Sequence, residues 1–178
     1  MTNAETRMIR IISETGAVKK KQKKLSRTLN VKIKFEGDEI ILEGKGDNEY
    51  IAEKVIDAIN FGFSVPTALL IKEEDFLFEI LDIKDYTPKK DLQRIRARII
   101  GTGGKTLRTL LTLTDCHFEM KDNRVGIIGA PELMLNAQNA VMSIIRGSKQ
   151  ANVYAFLEKH RVKPIFDLGL KPVKKKKK

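Results

Sequence analysis

The stretch Arg98–Thr106 (RIIGTGGKT) decides the fold, because four residues at its centre interrupt sequence that is otherwise helical. Apolar residues recur at helical spacing on both sides, over Leu92–Ile100 and over Lys105–Leu113. The interruption, Gly101–Gly104 (GTGG), permits a tight turn and a close approach of a ligand, because glycine carries no Cβ. The second helix begins directly after it, so unpaired N–H groups and the positive end of the helix dipole face the turn. The pattern is typical of a phosphate-binding corner.

Two nucleotide-binding motifs share part of this pattern, and both are incomplete. A P-loop, Gly-x-x-x-x-Gly-Lys-Thr, needs a glycine where Ile99 stands and a strand before it. The dinucleotide pattern Gly-x-Gly-x-x-Gly has Thr106 at its third glycine position. A phosphate-transferring enzyme would also need acidic Mg²⁺ ligands, and no recognisable spacing supplies them. A helical corner in which the glycines only sharpen the turn remains an open alternative.

Charge is the second informative feature. The 178 residues include 34 Lys+Arg and 23 Asp+Glu, for a net charge of +11. Two runs account for the excess, and without them the charges balance. The runs consist of Lys19, Lys20, Lys21, Lys23 and Lys24 near one end, and of Lys171 with Lys174–Lys178 at the other. Such runs are typical of proteins that bind a polyanion, and nucleic acid is the first candidate.

Composition excludes several other classes. A content of 42% hydrophobic and 32% charged residues fits a folded chain. No apolar stretch approaches the roughly 18–20 residues of a membrane span, and Met1–Glu5 does not resemble the start of a secretory signal. Cys116 and the 2 histidines are too few for a disulfide framework or a zinc site. We therefore expect a reduced, cytoplasmic protein with no membrane partner.

The chain also contains an internal repeat at a spacing of about 80–90 residues. Strand, helical region, hairpin and long helix occur twice, with the hairpin over Val31–Glu43 matching that over Cys116–Gly129. Copies of around 70 residues are small for independent cores, so we expect them to pack on each other. The bounds predicted from apolar spacing include a strand over Met8–Ile12, a helix over Lys19–Leu29, a helix opening at Pro88 and a final amphipathic helix over Ser148–Arg161.

The loop and its context resemble a type I KH domain, whose Gly-x-x-Gly loop clamps about four nucleotides of a single strand by their backbone. Gly101–Gly104 has this spacing and is followed by a hairpin and a helix in the type I order. The arginines of the helix before the loop could contact RNA or could instead form a solvated helix face. Ile100 could face the nucleotide or the core, whereas Leu107 fits the core. His117 lies on the strand that flanks the groove. The RNA-binding residues that this resemblance implies are Arg94, Arg98, Ile100, Gly101, Thr102, Gly103, Gly104, Lys105 and Arg108.

Further segments narrow the resemblance to the archaeal form of the partner-of-Nob-one (Dim-type) family. They are Phe78–Tyr86 (FEILDIKDY), Arg146–Ser148 with Val153–Leu157 (VYAFL), and Asn60–Ser64 (NFGFS) with Ala68–Leu70, which stand between the copies. Leu107–Cys116 (LRTLLTLTDC) is also similar to the related Krr-type factors. The likeness covers roughly residues 5 to 160 and implies an RNA-binding assembly factor without catalytic activity.

Membership implies an α+β fold of two tandem type I KH domains (βααββα) that pack together. The expected domains are a degenerate first copy over 5–72, a second copy with the intact loop over 76–147, a C-terminal helix over 148–163 and a disordered basic tail over 164–178. The implied ligand is single-stranded RNA near the 3′ end of small-subunit pre-rRNA. The implied protein partners are the Nob-type endonuclease and the alpha subunit of initiation factor two. A protein-interaction scaffold with secondary RNA contact is the alternative.

The first copy departs from the KH pattern. Where its loop should precede the hairpin, the sequence reads Gly16–Lys19 (GAVK) or, in another register, Ser13–Gly16 (SETG), and neither has both glycines. Almost no residues remain between Ile12 and Gly16 for the helix before the loop. We therefore do not expect this copy to clamp nucleotides. Its lysine run either holds phosphates or forms a solvated helix face, and both alternatives stay open.

Overall fold

A computed structural model of the protein describes residues 6–12, 16–88 and 90–161. The predicted tail and the alternative loop register over Ser13–Gly16 fall wholly or largely outside these residues. The first half of the molecule comprises β1 (Thr6–Ile12), α1 (Gly16–Leu29), β2 (Lys32–Glu36), β3 (Glu39–Lys45), α2 (Asn48–Phe61) and α3 (Val65–Glu73). The second half comprises β4 (Leu77–Asp82), a 3₁₀ turn (Ile83–Tyr86), α4 (Leu92–Ile100), a 3₁₀ turn in the loop (Thr102–Gly104), α5 (Lys105–Thr114), β5 (His117–Lys121), β6 (Arg124–Gly129), α6 (Pro131–Arg146) and α7 (Gln150–Lys159).

Each half contains one antiparallel sheet, and the two sheets have the same topology. The strand order is β1-β3-β2 in the first half and β4-β6-β5 in the second, so the strand that follows the first helical region lies at an edge in both. Ile33 pairs with Leu42 in one sheet, and Phe118 pairs with Ile127 in the other. The helices of each half cover one face of its sheet and enclose a core. The fold is therefore α+β, as predicted.

Equivalent positions of the two halves lie 85 residues apart in the sequence. Residues with a left-handed backbone recur at this distance in the turns before and within each hairpin. A glycine near the end of each hairpin also lies against the first residue of that hairpin, Val31 or Cys116. The matched pairs are Asn30 and Asp115, Gly37 and Asp122, Gly44 and Gly129, and Gly62 and Gly147, the last two ending α2 and α6. The duplicated unit includes a further helix, because α3 and α7 follow these last two glycines.

The halves pack on each other, as predicted, and the structure shows that aromatic side chains form the contact. Phe61 and Phe63 of the first half lie against β6, where a Cβ at Gly126 would come within 2.7 Å of the Phe61 ring and 2.8 Å of the Phe63 ring. Phe78 of β4 meets these two rings edge-on, with centroids 6.0 and 5.8 Å away. Ile128 of β6 is fully buried and belongs to the core of the first half. The second sheet is therefore covered on one face by its own helices and over part of the other face by the first half.

Three predicted helix bounds were wrong. The first helix begins at Gly16 rather than Lys19, so Gly16–Lys19 forms its first turn and not a loop. The helix expected to open at Pro88 begins at Leu92, because Asp91 caps it by accepting a hydrogen bond from the Arg94 N–H at 3.0 Å. The final helix spans Gln150–Lys159 instead of Ser148–Arg161, since the backbone at Lys149 is extended.

Candidate nucleic-acid interface

The loop between α4 and α5 has a backbone that depends on glycine. Gly101 adopts φ 72° and ψ 171°, and a Cβ there would collide with the Thr106 hydroxyl. Gly103 and Gly104 are left-handed, with φ 58° and 76°, and the space around both is open. The Gly101 N–H donates to the Ala97 carbonyl at 2.8 Å and the Gly104 N–H to the Gly101 carbonyl at 3.1 Å. The loop is thus a tight turn that ends directly on the first residue of α5.

Positive charge surrounds the tip of this loop. Thr102 and Gly103 are exposed, and so are the side chains of Lys105 and Arg108 in the first turn of α5. Nη2 of Arg108 donates to the Gly103 carbonyl at 2.6 Å, which holds the guanidinium against the loop. An anion at the tip would meet two cations and the N-terminal end of α5. This arrangement suits a phosphate of a nucleic-acid backbone.

The predicted groove residues are distributed around this loop. Ile100 is half-buried beside the loop, while Leu107 packs against the second core, as expected. His117 lies on the other face of the sheet. Its neighbour Phe118 is buried in the second core, and successive side chains of a strand point to opposite faces, so His117 points towards the first half. His117 therefore does not line the face on which α4 and α5 pack.

The arginines of α4 divide between two sides of the helix. Nη2 of Arg98 donates to the Ser148 carbonyl at 2.6 Å, between α6 and α7. Arg94 lies about 40° from Arg98 around the helix, whereas Arg96 lies about 160° from Arg98. Nη1 of Arg96 accordingly reaches the β5–β6 turn and donates to Oδ1 of Asn123 at 3.2 Å. Arg96 was not among the predicted contacts, although its basic charge and spacing match those of its neighbours.

Gln150, at the start of α7, joins the two helices that carry the loop. Its Nε2 donates to the Arg98 carbonyl at 2.9 Å and to the Thr106 hydroxyl at 2.8 Å. Thr106 is only 3% exposed and is the residue that a side chain at Gly101 would strike. Gln150 thus positions the loop from behind. The sequence carried no signal for this role, because the partners lie 52 and 44 positions away.

The thiol of Cys116 takes no part in this site. It is fully buried between α5 and β5, as the sequence predicts. Burial raises the pKa of Cys116 to about 11, so the thiol is protonated at neutral pH and is a poor nucleophile.

Among the residues that the structure describes, no three His, Cys, Asp or Glu side chains cluster in a way that could hold a metal ion. No helix in the same ranges is long and apolar enough to cross a membrane.

The first half presents a different surface at the corresponding place. The helix α1 buries Val18, Leu25 and Leu29 and exposes the five lysines of the predicted secondary basic patch. Nε2 of Gln22, on the same helix, donates to the Ile33 carbonyl of the edge strand β2 at 2.7 Å. These lysines are Lys19, Lys20, Lys21, Lys23 and Lys24, and Nζ of Lys19 lies 5.5 Å from the centroid of the Phe35 ring.

Comparison with known proteins agrees with this architecture. Residues 77–162 match the family model of the second PNO1 KH domain, a eukaryotic-type KH domain (KH-domain type I). A KH domain-containing protein of Methanocaldococcus jannaschii is 30% identical over 160 residues, which cover 86% of this chain and 69% of that protein. The chain belongs to the PNO1 family of KH-domain proteins. The family resemblance seen in the sequence is thereby confirmed.

One relative is longer than this chain, and one solved structure of the same fold is a complex. The pre-rRNA-processing protein pno1 of Aspergillus oryzae is 32% identical over 111 residues, covering 60% of this chain and 43% of that protein. The chain therefore spans less than half of this eukaryotic relative. The fold also matches a chain in the crystal structure of an a/eIF2alpha-aDim2p-rRNA complex from Pyrococcus horikoshii, with a TM-score of 0.80 and 22% identity. That match covers 89% of this chain and 96% of the other, which confirms the KH-type fold.

Proposed function

We propose that this protein is an assembly factor of the small ribosomal subunit that binds single-stranded pre-rRNA near its 3′ end. The observation that carries the proposal is the exposed glycine loop, which leads directly into the N-terminus of α5. Lys105 and Arg108 lie in the first turn of that helix. Such a loop holds nucleotides by their phosphates and leaves the bases to the groove beside it. The name of the Aspergillus relative and the rRNA in the Pyrococcus complex support the same ligand.

Within this proposal, the second half supplies the clamp. Gly101–Gly104, Lys105 and Arg108 contact the RNA backbone, and Ile100 borders the bases. Arg98 positions the loop rather than touching RNA, because its guanidinium is bound to the Ser148 carbonyl. Arg94, which projects on the same side of α4, contacts RNA only if the strand continues past that side. We assign the clamp to a second KH domain over 76–147, followed by a C-terminal segment over 148–163 that contains α7 and by a basic tail over 164–178.

The first half, a degenerate KH domain over 5–72 in this proposal, adds affinity without reading sequence. The five exposed lysines of α1 have no glycine turn beside them, since Gly16–Lys19 is helical. Each lysine that meets a phosphate releases about one counterion, so this contribution falls steeply with salt and does not depend on base identity.

We also propose two protein partners. The Pyrococcus complex contains a/eIF2alpha together with a protein of the same fold, which supports the alpha subunit of initiation factor two as a partner. The Nob-type endonuclease is the partner that family membership implies. No feature of the described residues favours a scaffold whose RNA contact is secondary.

The experiment that tests the clamp replaces Gly103 and Gly104 together by aspartate. Two carboxylates beside the phosphates should weaken binding of single-stranded rRNA by roughly 30-fold, about 2 kcal/mol. The variant should fold, because a Cβ at either position would have nothing within 4 Å and aspartate tolerates a left-handed backbone. Binding is measured by fluorescence anisotropy, and circular dichroism checks the fold.

Gly37→Asp is the matched control. Gly37 is also left-handed with open space around it, and aspartate already stands at the equivalent position 122. This variant adds one negative charge in the β2–β3 turn of the first half and should leave affinity within about twofold, because salt screens exposed charges that lie more than a Debye length apart. Unchanged RNA binding by a folded double aspartate variant would overturn the clamp.

A further inference from the structure

A notch of about 470 Å³ lies where the two halves meet, between α2 and the face of the second sheet that is turned away from α4 and α5. Its volume falls within the roughly 300–1,000 Å³ that small-molecule sites occupy. The side chains that carry the argument are Lys54, Asp57 and Phe61 of α2, Ile80 of β4, and Lys121 and Arg124 at the two ends of the β5–β6 turn.

The floor of the notch offers a surface for a flat ring. Ile80 is 42% exposed, so its side chain offers apolar surface to the notch. The guanidinium carbon of Arg124 lies 5.8 Å from the centroid of the Phe61 ring, so a planar cation faces the notch beside an aromatic ring. Nucleobases stack on such surfaces whatever their sequence.

The rim of the notch is mainly positive. It carries three cationic side chains, those of Lys54, Lys121 and Arg124, and two carboxylates, those of Asp57 and Glu79. Nζ of Lys121 donates to the Asn60 carbonyl at 2.8 Å, which fixes this ammonium group at the rim. Burial raises the pKa of the half-buried Asp57, whose carboxylate lines the notch and can accept hydrogen bonds from base amino groups. The chemistry of the notch therefore combines a base platform with phosphate partners.

The notch is connected to the proposed clamp through α4 and the β5–β6 turn. The turn between Lys121 and Arg124 is held to α4 by Arg96, through Oδ1 of Asn123 at 3.2 Å, and α4 ends at Gly101. Loop, helix, turn and notch thus follow one another over the surface. A strand that leaves the clamp on the side of Arg96 reaches the turn and then the notch.

We propose that the notch binds a further nucleotide of the same RNA strand. Its base packs on Ile80 and on the exposed guanidinium of Arg124, which covers the buried Phe61 ring, and its phosphate is held by Lys54 and Lys121. This inference rests on the proposed function, and it extends the RNA footprint beyond the four nucleotides of a KH clamp to a site formed by both halves.

The test compares two lengths of RNA on the full chain. The probes are fluorescent pools of random tetranucleotides and random dodecanucleotides, and the variant is Lys54→Gln/Arg124→Gln. Because only the longer probe reaches from clamp to notch, its affinity should fall about fivefold to tenfold, while that of the tetranucleotide changes less than twofold. Ile80→Glu, an exposed replacement with little consequence for folding, should reproduce the length-dependent loss.

The matched control is Lys45→Gln/Lys159→Gln, which removes the same charge at exposed positions outside the notch. The proposal would be overturned if the notch variant lost affinity equally for both probe lengths, or if the control variant lost as much affinity as the notch variant. It would also be overturned if the notch variant bound RNA unchanged but bound the initiation-factor subunit more weakly. The double aspartate variant of the loop distinguishes the two hypotheses. If the double aspartate variant leaves tetranucleotide binding intact, the clamp hypothesis fails. If only the notch variant lacks its length-dependent loss of affinity, the notch hypothesis alone fails.

Discussion

The residues Gly16–Lys19 and Gly101–Gly104 occupy the same place in the two halves, 85 positions apart, yet they have different structures. In the first half they form the opening turn of α1, and Val18 is completely buried. In the second half they form the loop, and Gly103, which corresponds to Val18, is exposed. The helix then continues alike, since Leu25 and Leu110 are both fully buried. The comparison shows that the core of this unit does not determine whether the unit carries a glycine loop.

The groove edges differ as well. Gln22 ties α1 to the edge strand β2, through the Ile33 carbonyl. The equivalent residue of α5 is Leu107, which packs on the core and has no donor for the corresponding carbonyl of Phe118. The first groove is thus closed by a side chain of its own helix, and the second is not closed in this way.

The largest expected effect concerns the paired glycines. Gly101→Ala should lower the free energy of unfolding by about 3 kcal/mol, because its backbone is one that only glycine adopts and its Cβ meets Thr106. Gly16→Ala is the matched control and should raise stability by up to about 1 kcal/mol, since alanine favours a helix and its Cβ meets nothing within 4 Å. Urea unfolding measures both. Equal effects at the two positions would contradict the structural difference.

The lysines of α1 should contribute affinity but not specificity. Replacing the five lysines Lys19, Lys20, Lys21, Lys23 and Lys24 by glutamine should weaken RNA binding about tenfold in low salt and reduce the salt slope by up to about 3. The ratio of affinities for different RNA sequences should not change. Arginine at the same positions keeps the charge and should restore binding. A change in sequence preference would show that the first half reads bases.

A smaller effect is expected from exchanging the groove edges. Gln22→Leu removes the hydrogen bond to Ile33 and should cost about 1 kcal/mol of stability, with RNA affinity unchanged. Leu107→Gln places a donor beside the second edge strand and should weaken RNA binding a few-fold. Isothermal titration and thermal unfolding separate the two effects. The comparison fails if Gln22→Leu, rather than Leu107→Gln, alters RNA affinity.

The smallest effect concerns pH. Asp57 stands where the second half has Met142, and burial, more than the neighbouring Glu53, raises its pKa above the usual 3.8. A raised pKa in the folded state means that its contribution to stability is complete below pH 3.8 and is lost as the pH rises through the folded value. Asp57→Asn should remove this decline from the stability profile between acid and neutral pH. Asp38→Asn, at an exposed turn, is the control and should leave the profile unchanged.

The parts of the fold that could be predicted are those that local sequence determines. Glycine spacing and apolar periodicity located the loop, the hairpins and the duplication. The helix α1 begins one turn before the lysine run at which its start was predicted, because Val18 continues the apolar spacing of Leu25 and Leu29. The start of α4 depends on the cap at Asp91, a signal that was present in the sequence.

The positioning contacts of the candidate site could not be predicted in the same way. The bonds from Gln150 and Arg98 cross about 50 positions and depend on how α7 returns to α4. One long-range contact did leave a trace. A glycine in the middle of a strand, Gly126, indicates that something approaches the backbone closely, and here the two phenylalanines do so.

The contact of Phe61 and Phe63 with Gly126 also holds the two halves at a fixed separation. It fixes the lysines of α1 and the glycine loop on one body, so the gap between them is set by the protein and not by a flexible tether. Under the proposed function, an RNA that spans this gap binds at both points, and the second contact then forms within one complex at a high effective concentration. A strand that is too short gains nothing from the lysines. Avidity of this kind selects RNA by length as well as by sequence.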